Sequence, residues 1–544
     1  MRRMLPFLVL MAGSAALLLG GVGRLPLLGR DEALYAEAGR EMLASGDWIT
    51  PRVNGGPFLE KPPLYYWLAA GSYRVFGVSP FAARLPAALL ALLAVGLTAA
   101  LGARAWGARA GWLAGMALAT CLQMAIIGRM GLMDAPLTTL TVVAVAAYAS
   151  WRGRPRLALA AAFGLCVGLA VLLKGGAGLA AVGVVAVHTA YLAARARRLT
   201  IAWRGLAATT LAGVVAAGVA APWFVAMAAR HGETFGATLL LREHLHRIAH
   251  PMQGHGGSVL TYLGVTVLGF FPWVVFLPGA FRGHAGESEQ AAWWRGLCVV
   301  WMLVVLIPFS LVRTKLPGYI TPLFPPMALL AGAVLDCRRR GKDGRAAWGA
   351  MVAMAGLFAG LVCLLPAAGA RLGERIGVSH EARLLVGPSI VWAVGYGVIA
   401  VGAGGALAGR VVPALALVTG GQMVVLAAVL VGVLPAVSPF LGGGSAALAM
   451  RAARELPRAR IVLYETHPET VNFALRRSVP TYDKDRQAEL RAELAAGDVA
   501  LIAPVGEEDF WSRLPARRTW RAGDRVLLDL PAWASRDGEG AGER

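Results

Sequence analysis

Thirteen stretches of mostly apolar residues run through this chain, and about 20 such residues let an α-helix cross a hydrocarbon core of roughly 30 Å. They fall near residues 4–23, 85–103, 111–128, 132–150, 157–173, 177–194, 205–228, 258–280, 297–312, 316–335, 347–369, 384–408 and 411–437. Lipid offers the backbone no hydrogen-bond partner, so these stretches must satisfy it internally as helices. The expected fold class is an α-helical polytopic membrane protein with about 13 transmembrane helices. Composition agrees: 57% of the residues are hydrophobic and 15% charged, too apolar for a soluble chain of this size. Residues 4–23 follow Arg2 and Arg3 as a signal peptide would. The run is long for one, and no A-x-A site follows, so it reads as a membrane anchor.

The net charge of +21 is unevenly placed. From Ser445 onward 16 basic and 16 acidic residues cancel, whereas the earlier part carries 36 against 15. Basic residues between apolar spans serve orientation, and no basic, aromatic-interleaved patch lies elsewhere, so a nucleic-acid partner is not expected. A cytoplasmic N-terminus puts 19 Lys and Arg in the inner connections against 10 in the short outer ones. The first loop (24–84), a His-rich loop (229–257) and the C-terminal region then face one outer compartment, in a bacterium the periplasm. Cys121, Cys166, Cys298 and Cys363 lie in apolar runs and Cys337 ends one. They read as small hydrophobes, with no disulfide expected.

Beyond Ser445 the apolar runs IVLYE (461–465), VALIAP (499–504) and RVLLDL (525–530) alternate with helical stretches near 469–477 and 487–496. That alternation suits a small α/β domain. The expected organisation is a transmembrane domain (1–440), a Gly-rich linker (441–445), an α/β domain (446–535) and a disordered tail (536–544).

Most polar residues that call for explanation lie on the outer side. RDEALYAEAGREMLASGDWITP begins with Asp31 and Glu32, and Leu34, Ala38 and Met42 recur at helical spacing until Gly46. This predicts an amphipathic helix at the membrane interface, with Asp31 either capping it or serving chemistry. In PFLEKPPLYYW, Glu60 and Lys61 stand between Pro57 and Pro62/Pro63, which stiffen the backbone. The pair can hold a phosphate or a metal, or Lys61 can snorkel beside an aromatic belt of Tyr65, Tyr66 and Trp67. The chain uses 47 Arg but only 5 Lys, and Lys61, Lys174 and Lys315 all fall on the outer side. A compact point charge suits a phosphate oxygen.

His231, His244, His246, His250 and His255 crowd one loop, with Glu243 and Arg247. No H-E-x-x-H occurs, so a closed zinc site is not expected. A metal site shared with Glu60 and a solvated loop are the alternatives. Asp134, with Arg129 nearby, opens the fourth span; a carboxylate there is costly unless paired or hydrated, so it is a site residue or a helix cap. Arg313, Lys315 and Tyr319 in RTKLPGYI begin the tenth span, where two cations suit an anionic partner. A transporter is the rival class, but transporters place ionisable groups near mid-membrane, and His188 is the clearest such residue here. A sensor would leave the spans superfluous. No Gly-rich phosphate loop follows a strand, so no nucleotide cofactor is expected.

The first-loop motifs, MDAP at 133–136, LLKGG at 172–176, the EHLHR loop and KLPGYI at 315–320 carry a resemblance. The chain resembles the bacterial aminoarabinose transferases, which carry 4-amino-4-deoxy-L-arabinose from undecaprenyl phosphate to lipid A. More broadly it resembles the GT-C membrane glycosyltransferases, which include the protein O-mannosyltransferases. The resemblance implies an inverting transferase at the outer face of a bacterial inner membrane. Its donor would be a polyprenyl-phosphate-linked sugar and its acceptor lipid A, another envelope molecule or, alternatively, a protein hydroxyl. By the resemblance Asp31 is the essential carboxylate and Asp134 a further functional one. Lys61 and Tyr319 lie near the lipid phosphate, with Lys315 and Arg313 expected as helpers. Glu60 and His255, with His250 as a rival, look like a divalent-metal pair for zinc or a similar ion. Glu32, Lys174 and Arg247 complete the expected set. The family pattern carries an arginine three residues after the first aspartate, where this chain has Leu34. That departure leaves the sugar and the acceptor open.

Overall fold

Small side chains set how the helices pack, because lipid tails remove the hydrophobic drive for helix association and reward close backbone approach. The computed structural model describes residues 4–151, 156–196, 202–239, 257–281, 287–338, 345–368 and 384–532. Its first helices are α1 (Leu5–Leu19), α2 (Gly29–Ser45), α3 (Leu64–Phe76), α4 (Pro80–Trp106), α5 (Ala108–Thr120), α6 (Leu122–Ile127), α7 (Asp134–Ser150), α8 (Leu157–Lys174), α9 (Ala180–Ala196) and α10 (Ala202–Gly236). A Cβ added at Gly111 would stand 2.3 Å from the Ala99 carbonyl oxygen, and one at Gly332 2.5 Å from that of Ala110. Helices α4, α5 and Phe324–Arg338 therefore touch backbone to backbone. Gly111→Ala is expected to lower stability by about 1–3 kcal/mol through overpacking, read as a lower melting temperature in detergent; an unchanged value would mean a looser contact.

Every predicted apolar window contains helix, but the count of about 13 crossings is not reproduced by length. Among the described residues eight helical segments are long and apolar enough to cross a membrane, or nine if the pair Thr261–Phe270 and Trp273–Phe281, bent by 102°, is one span. Helices α1, α5 and α7 have 15, 13 and 17 residues, and α8 runs into α9 through the 3-10 turn Gly175–Leu179. Hydropathy windows do not see such breaks: Cys121, with φ −70° and ψ 143°, separates α5 from α6 inside one apolar window. The five cysteines are free.

The first loop folds into α2, the short antiparallel pair β1 (Arg52–Val53) and β2 (Gly56–Pro57), and α3. Helix α2 ends at Gly46, whose φ of 71° suits glycine. The expected interfacial helix is instead enclosed: residues 32–39 are all buried, packed against α3 and the C-terminal helix Glu469–Leu475. The expected aromatic belt is also corrected. Tyr65 and Tyr66 are fully buried, Tyr65 donates to the Ala83 carbonyl at 2.9 Å, and the Trp67 indole donates to the Trp48 carbonyl at 2.8 Å.

The C-terminal sheet comprises β3 (Arg460–Tyr464), β4 (Thr481–Tyr482), β5 (Val499–Pro504), β6 (Arg518–Ala522) and β7 (Arg525–Leu530), in the order β4-β3-β5-β7-β6. Strand β3 runs parallel to β4 and β5, while β7 is antiparallel to β5 and β6. Leu448, Ala449 and Ala452 of helix Gly443–Glu455 cover one face, and Leu490, Leu494 and Trp511 cover the other. The glycines expected as a flexible linker form a packed joint: Gly443 opens that helix, and a Cβ on Gly444 would lie 2.4 Å from the Ala522 carbonyl. The tail at 536–544 lies outside the described residues.

Candidate functional site

Helical spacing builds the first wall of a cleft. In α2, Asp31, Leu34 and Tyr35 share one face, and with Arg30 they line an opening that also receives Phe58, Glu60, Lys61, Lys174 and Tyr319. Four stretches far apart in sequence thus meet. The proline-bounded segment delivers its residues because Leu59 is buried with Leu172, Trp223, Met227 and Phe235, and Phe58 N–H bonds the Pro51 carbonyl at 2.7 Å. The loop before it is clamped to α10. Arg230 pairs with Asp47 at 2.8 Å, Trp223 donates to the Ile49 carbonyl at 2.8 Å, and His231 Nε2 lies 3.0 Å from Thr50 Oγ1.

Lys174 closes α8, where Gly175 with φ 56° and ψ −129° turns the chain away. Its ammonium lies 2.5 Å from Asp134 Oδ1 and 4.5 Å from the centre of the Tyr319 ring, a cation–π distance. Tyr319 sits in the 3-10 turn Pro317–Leu323. Gln123 steadies that turn by donating to the Pro317 carbonyl at 2.8 Å and to Thr321 Oγ1 at 3.1 Å. Asp134 is buried behind Lys174 and does not line the cleft. Its geometry is that of a counterion that positions a lysine. Burial, and next the Asp31 carboxylate, push the Tyr35 phenol well above its ordinary value, so it stays protonated and can donate a hydrogen bond.

Of the expected residues, Asp31, Glu60, Lys61, Lys174 and Tyr319 converge. Lys315 does not: its ammonium bonds the carbonyls of Phe309 at 2.9 Å, Ser310 at 2.6 Å and Val312, ending helix Glu289–Leu311 as cations near a helix C-terminus do. Arg313 is exposed away from the cleft. Arg129 bonds the carbonyls of Leu17 and, at 2.6 Å, Gly20, so it finishes α1. Glu32 is a buried structural ion pair with Arg84 at 2.7 Å. Arg247, His244, His246, His250 and His255 lie outside the described residues. Among the described residues no group of three or more His, Cys, Asp or Glu is placed to hold a metal. The histidines expected to share a metal with Glu60 lie outside the described residues, and no step below runs through a metal. Arg30, Leu34, Tyr35 and Phe58 were not expected in the site. The i, i+3, i+4 spacing from Asp31 was the signal for Leu34 and Tyr35.

The family model described as dolichyl-phosphate-mannose-protein mannosyltransferase matches residues 28–230. The undecaprenyl phosphate-α-4-amino-4-deoxy-L-arabinose arabinosyl transferase of Aeromonas salmonicida is 33% identical over 349 residues, covering 62% of this chain and 61% of its own length. The chain thus matches about three fifths of that relative. The enzyme of the same name from Edwardsiella ictaluri is 30% identical over 391 residues, 69% of this chain and 68% of its own. ArnT from Cupriavidus metallidurans shares the fold in its apo crystal structure, with a TM-score of 0.79 at 24% identity over 97% of this chain and 98% of that one. Bound to undecaprenyl phosphate it gives 0.76 at 24% identity, over 98% and 99%. By the Edwardsiella match the chain belongs to the undecaprenyl phosphate-α-4-amino-4-deoxy-L-arabinose arabinosyl transferase family.

Proposed function

We propose that the chain is an inverting membrane glycosyltransferase. It moves a sugar, 4-amino-4-deoxy-L-arabinose by the names of its relatives, from undecaprenyl phosphate to lipid A or another envelope acceptor. The observation that carries this reading is the meeting of Asp31, Lys61, Lys174 and Tyr319 in one cleft. The polyprenyl tail lies among the helices and its phosphate between Lys61 and Lys174. The acceptor oxygen attacks the anomeric carbon, the bond from that carbon to the phosphate oxygen breaks, and polyprenyl phosphate leaves with the electron pair. Lys61 and Lys174 stabilise the charge that grows on the departing phosphate. Tyr319 fixes Lys174 through its ring. If the acceptor is a hydroxyl, Asp31 takes its proton; if it is already a phosphate, Asp31 orients it or stabilises the cationic sugar.

The inner membrane is the site of action, with the N-terminus cytoplasmic and the cleft and C-terminal domain periplasmic. The basic excess in the inner connections supports this orientation. The thirteen-crossing path stays part of the proposal, with α1, α5 joined to α6, and α7 as short crossings and α8 and α9 as two.

The test is to incubate purified protein with undecaprenyl-phosphate-aminoarabinose and lipid A and to weigh the products. Lipid A heavier by one aminoarabinose is the expected result, and unchanged lipid A together with intact donor would overturn the reading. A smaller change probes the Lys174 support. A Cβ on Gly318 would lie 2.8 Å from Asp134 Oδ2, so Gly318→Ala pushes the carboxylate off Lys174. A misplacement near 1 Å costs about 10²-fold in rate, which initial-rate measurements would show; full activity would detach Asp134 from the site.

A further inference from the structure

Among the described residues an ion pair links the C-terminal domain to the cleft. Arg30, the residue before Asp31, lines the cleft, and its Nε stands 3.6 Å from Glu469 Oε1, with the arginine side chain 40% exposed and the glutamate 7%. Glu469 opens the helix Glu469–Leu475 of the C-terminal domain. Its other carboxylate oxygen is buried and has no hydrogen-bond partner among the described residues.

That arrangement is costly if it only glues the domain down. A buried carboxylate with an unsatisfied oxygen loses hydration that an ion pair at 3.6 Å and the start of a short helix return only in part. Docking has better contacts: Asn472 Nδ2 donates to Asn54 Oδ1 at 2.7 Å, Arg476 donates to the Val78 carbonyl at 3.1 Å, and Phe473 is buried against Ala33, Ala36 and Tyr73. What Glu469 does that those contacts do not is set a negative charge against the Nε edge of a guanidinium at the mouth of the cleft. With its Nε edge toward a carboxylate, an arginine still presents its terminal nitrogens as a fork, which matches two oxygens of a phosphate.

We propose that Arg30 is a phosphate-binding residue at the open end of the cleft, and that Glu469 of the C-terminal domain is the positioning residue that aims it. The inference deepens the transferase reading and rests on it for the identity of the two lipids. The phosphate belongs to the donor lipid or to a phosphorylated acceptor lipid, and binding measurements distinguish them.

The experiment titrates full-length protein in detergent with undecaprenyl phosphate and, separately, with lipid A, each followed by native mass spectrometry. Wild type is compared with Arg30→Ala, Glu469→Gln, the double variant and, as a docking control, Asn472→Ala. The expected result is that Arg30→Ala and Glu469→Gln each weaken one of the two lipids about tenfold and leave the other within twofold. The double variant should be no weaker than Arg30→Ala alone, since coupled residues do not add. Melting temperatures of the two single variants should stay near wild type, and Asn472→Ala should move stability without moving either affinity. In turnover the loss should appear in the KM for the same lipid. Loss of undecaprenyl phosphate binding assigns Arg30 to the donor; loss of lipid A binding assigns it to the acceptor. Unchanged affinity for both lipids, equal loss of both, or additive losses in the double variant would overturn the proposal. Wild type that binds both lipids yet transfers nothing would instead overturn the transferase reading and leave the binding result standing.

Discussion

Lys61→Ala is expected to lower the rate of sugar transfer by about 10²–10³-fold, the loss typical when a preorganised group facing developing charge is removed, with the melting temperature unchanged. Lys61 lines the cleft beside Glu60 on a segment whose fold is secured by the buried Leu59 rather than by the lysine. Lys61→Arg should restore only part of the activity, because a planar guanidinium does not replace a compact ammonium. Asp31→Asn separates the two acceptor chemistries. If Asp31 takes a proton from a hydroxyl, the loss should reach about 10²–10⁴-fold, whereas a phosphate acceptor needs no base and should give a smaller loss. Initial rates measured beside thermal melts check both variants. Wild-type rates in Lys61→Ala would remove that ammonium from the reaction.

The neighbouring carboxylate should behave in the opposite way. Glu32 accepts hydrogen bonds from Leu28 N–H at 2.5 Å, Gly131 N–H at 2.7 Å, and Arg84 Nε and Nη2 at 2.8 and 2.7 Å. Arg84 in turn donates to the carbonyls of Val22 and Leu25, both at 2.9 Å, and of Pro26 at 2.7 Å. The pair ties the end of α1, the start of α2 and the turn before α7 to α4. Glu32→Ala leaves Arg84 buried without its counterion, and breaking such a pair costs about 3–5 kcal/mol. The expected outcome is a large drop in melting temperature and in yield, with activity lost in proportion to folded protein. An unchanged melt would show that the hub is dispensable. Two adjacent carboxylates therefore differ in kind: one faces the cleft, and the other holds up the wall that carries it.

Local patterns in the sequence made the membrane class, the C-terminal strands and much of the cleft readable. Apolar windows located the helices, and the alternation beyond Ser445 located the strands at Arg460–Tyr464, Val499–Pro504 and Arg525–Leu530. Asp31 stood out at the start of a helical pattern, Lys61 on a proline-bounded segment of an Arg-rich chain, and Tyr319 through the family resemblance. What stayed hidden depends on contacts between distant segments. Lys315 looked like a ligand for an anion and Arg129 like a neighbour of Asp134, yet they satisfy the carbonyls at the ends of helices. Tyr65 and Tyr66 looked like belt residues, yet the enclosure of α3 buries them. Glu32 could not be told from Asp31, because its partner Arg84 lies on another helix. For the same reason Arg30 gave no signal until Glu469 was seen beside it.

The most direct measurement is a cryo-EM structure of the protein in nanodiscs with undecaprenyl phosphate bound. The account predicts lipid phosphate density within hydrogen-bond reach of Lys61 or Lys174, beside the Tyr319 ring, with the polyprenyl chain leaving between the helices. Phosphate density bound elsewhere, with the space between Asp31, Lys61 and Tyr319 unfilled at saturating lipid, would contradict it.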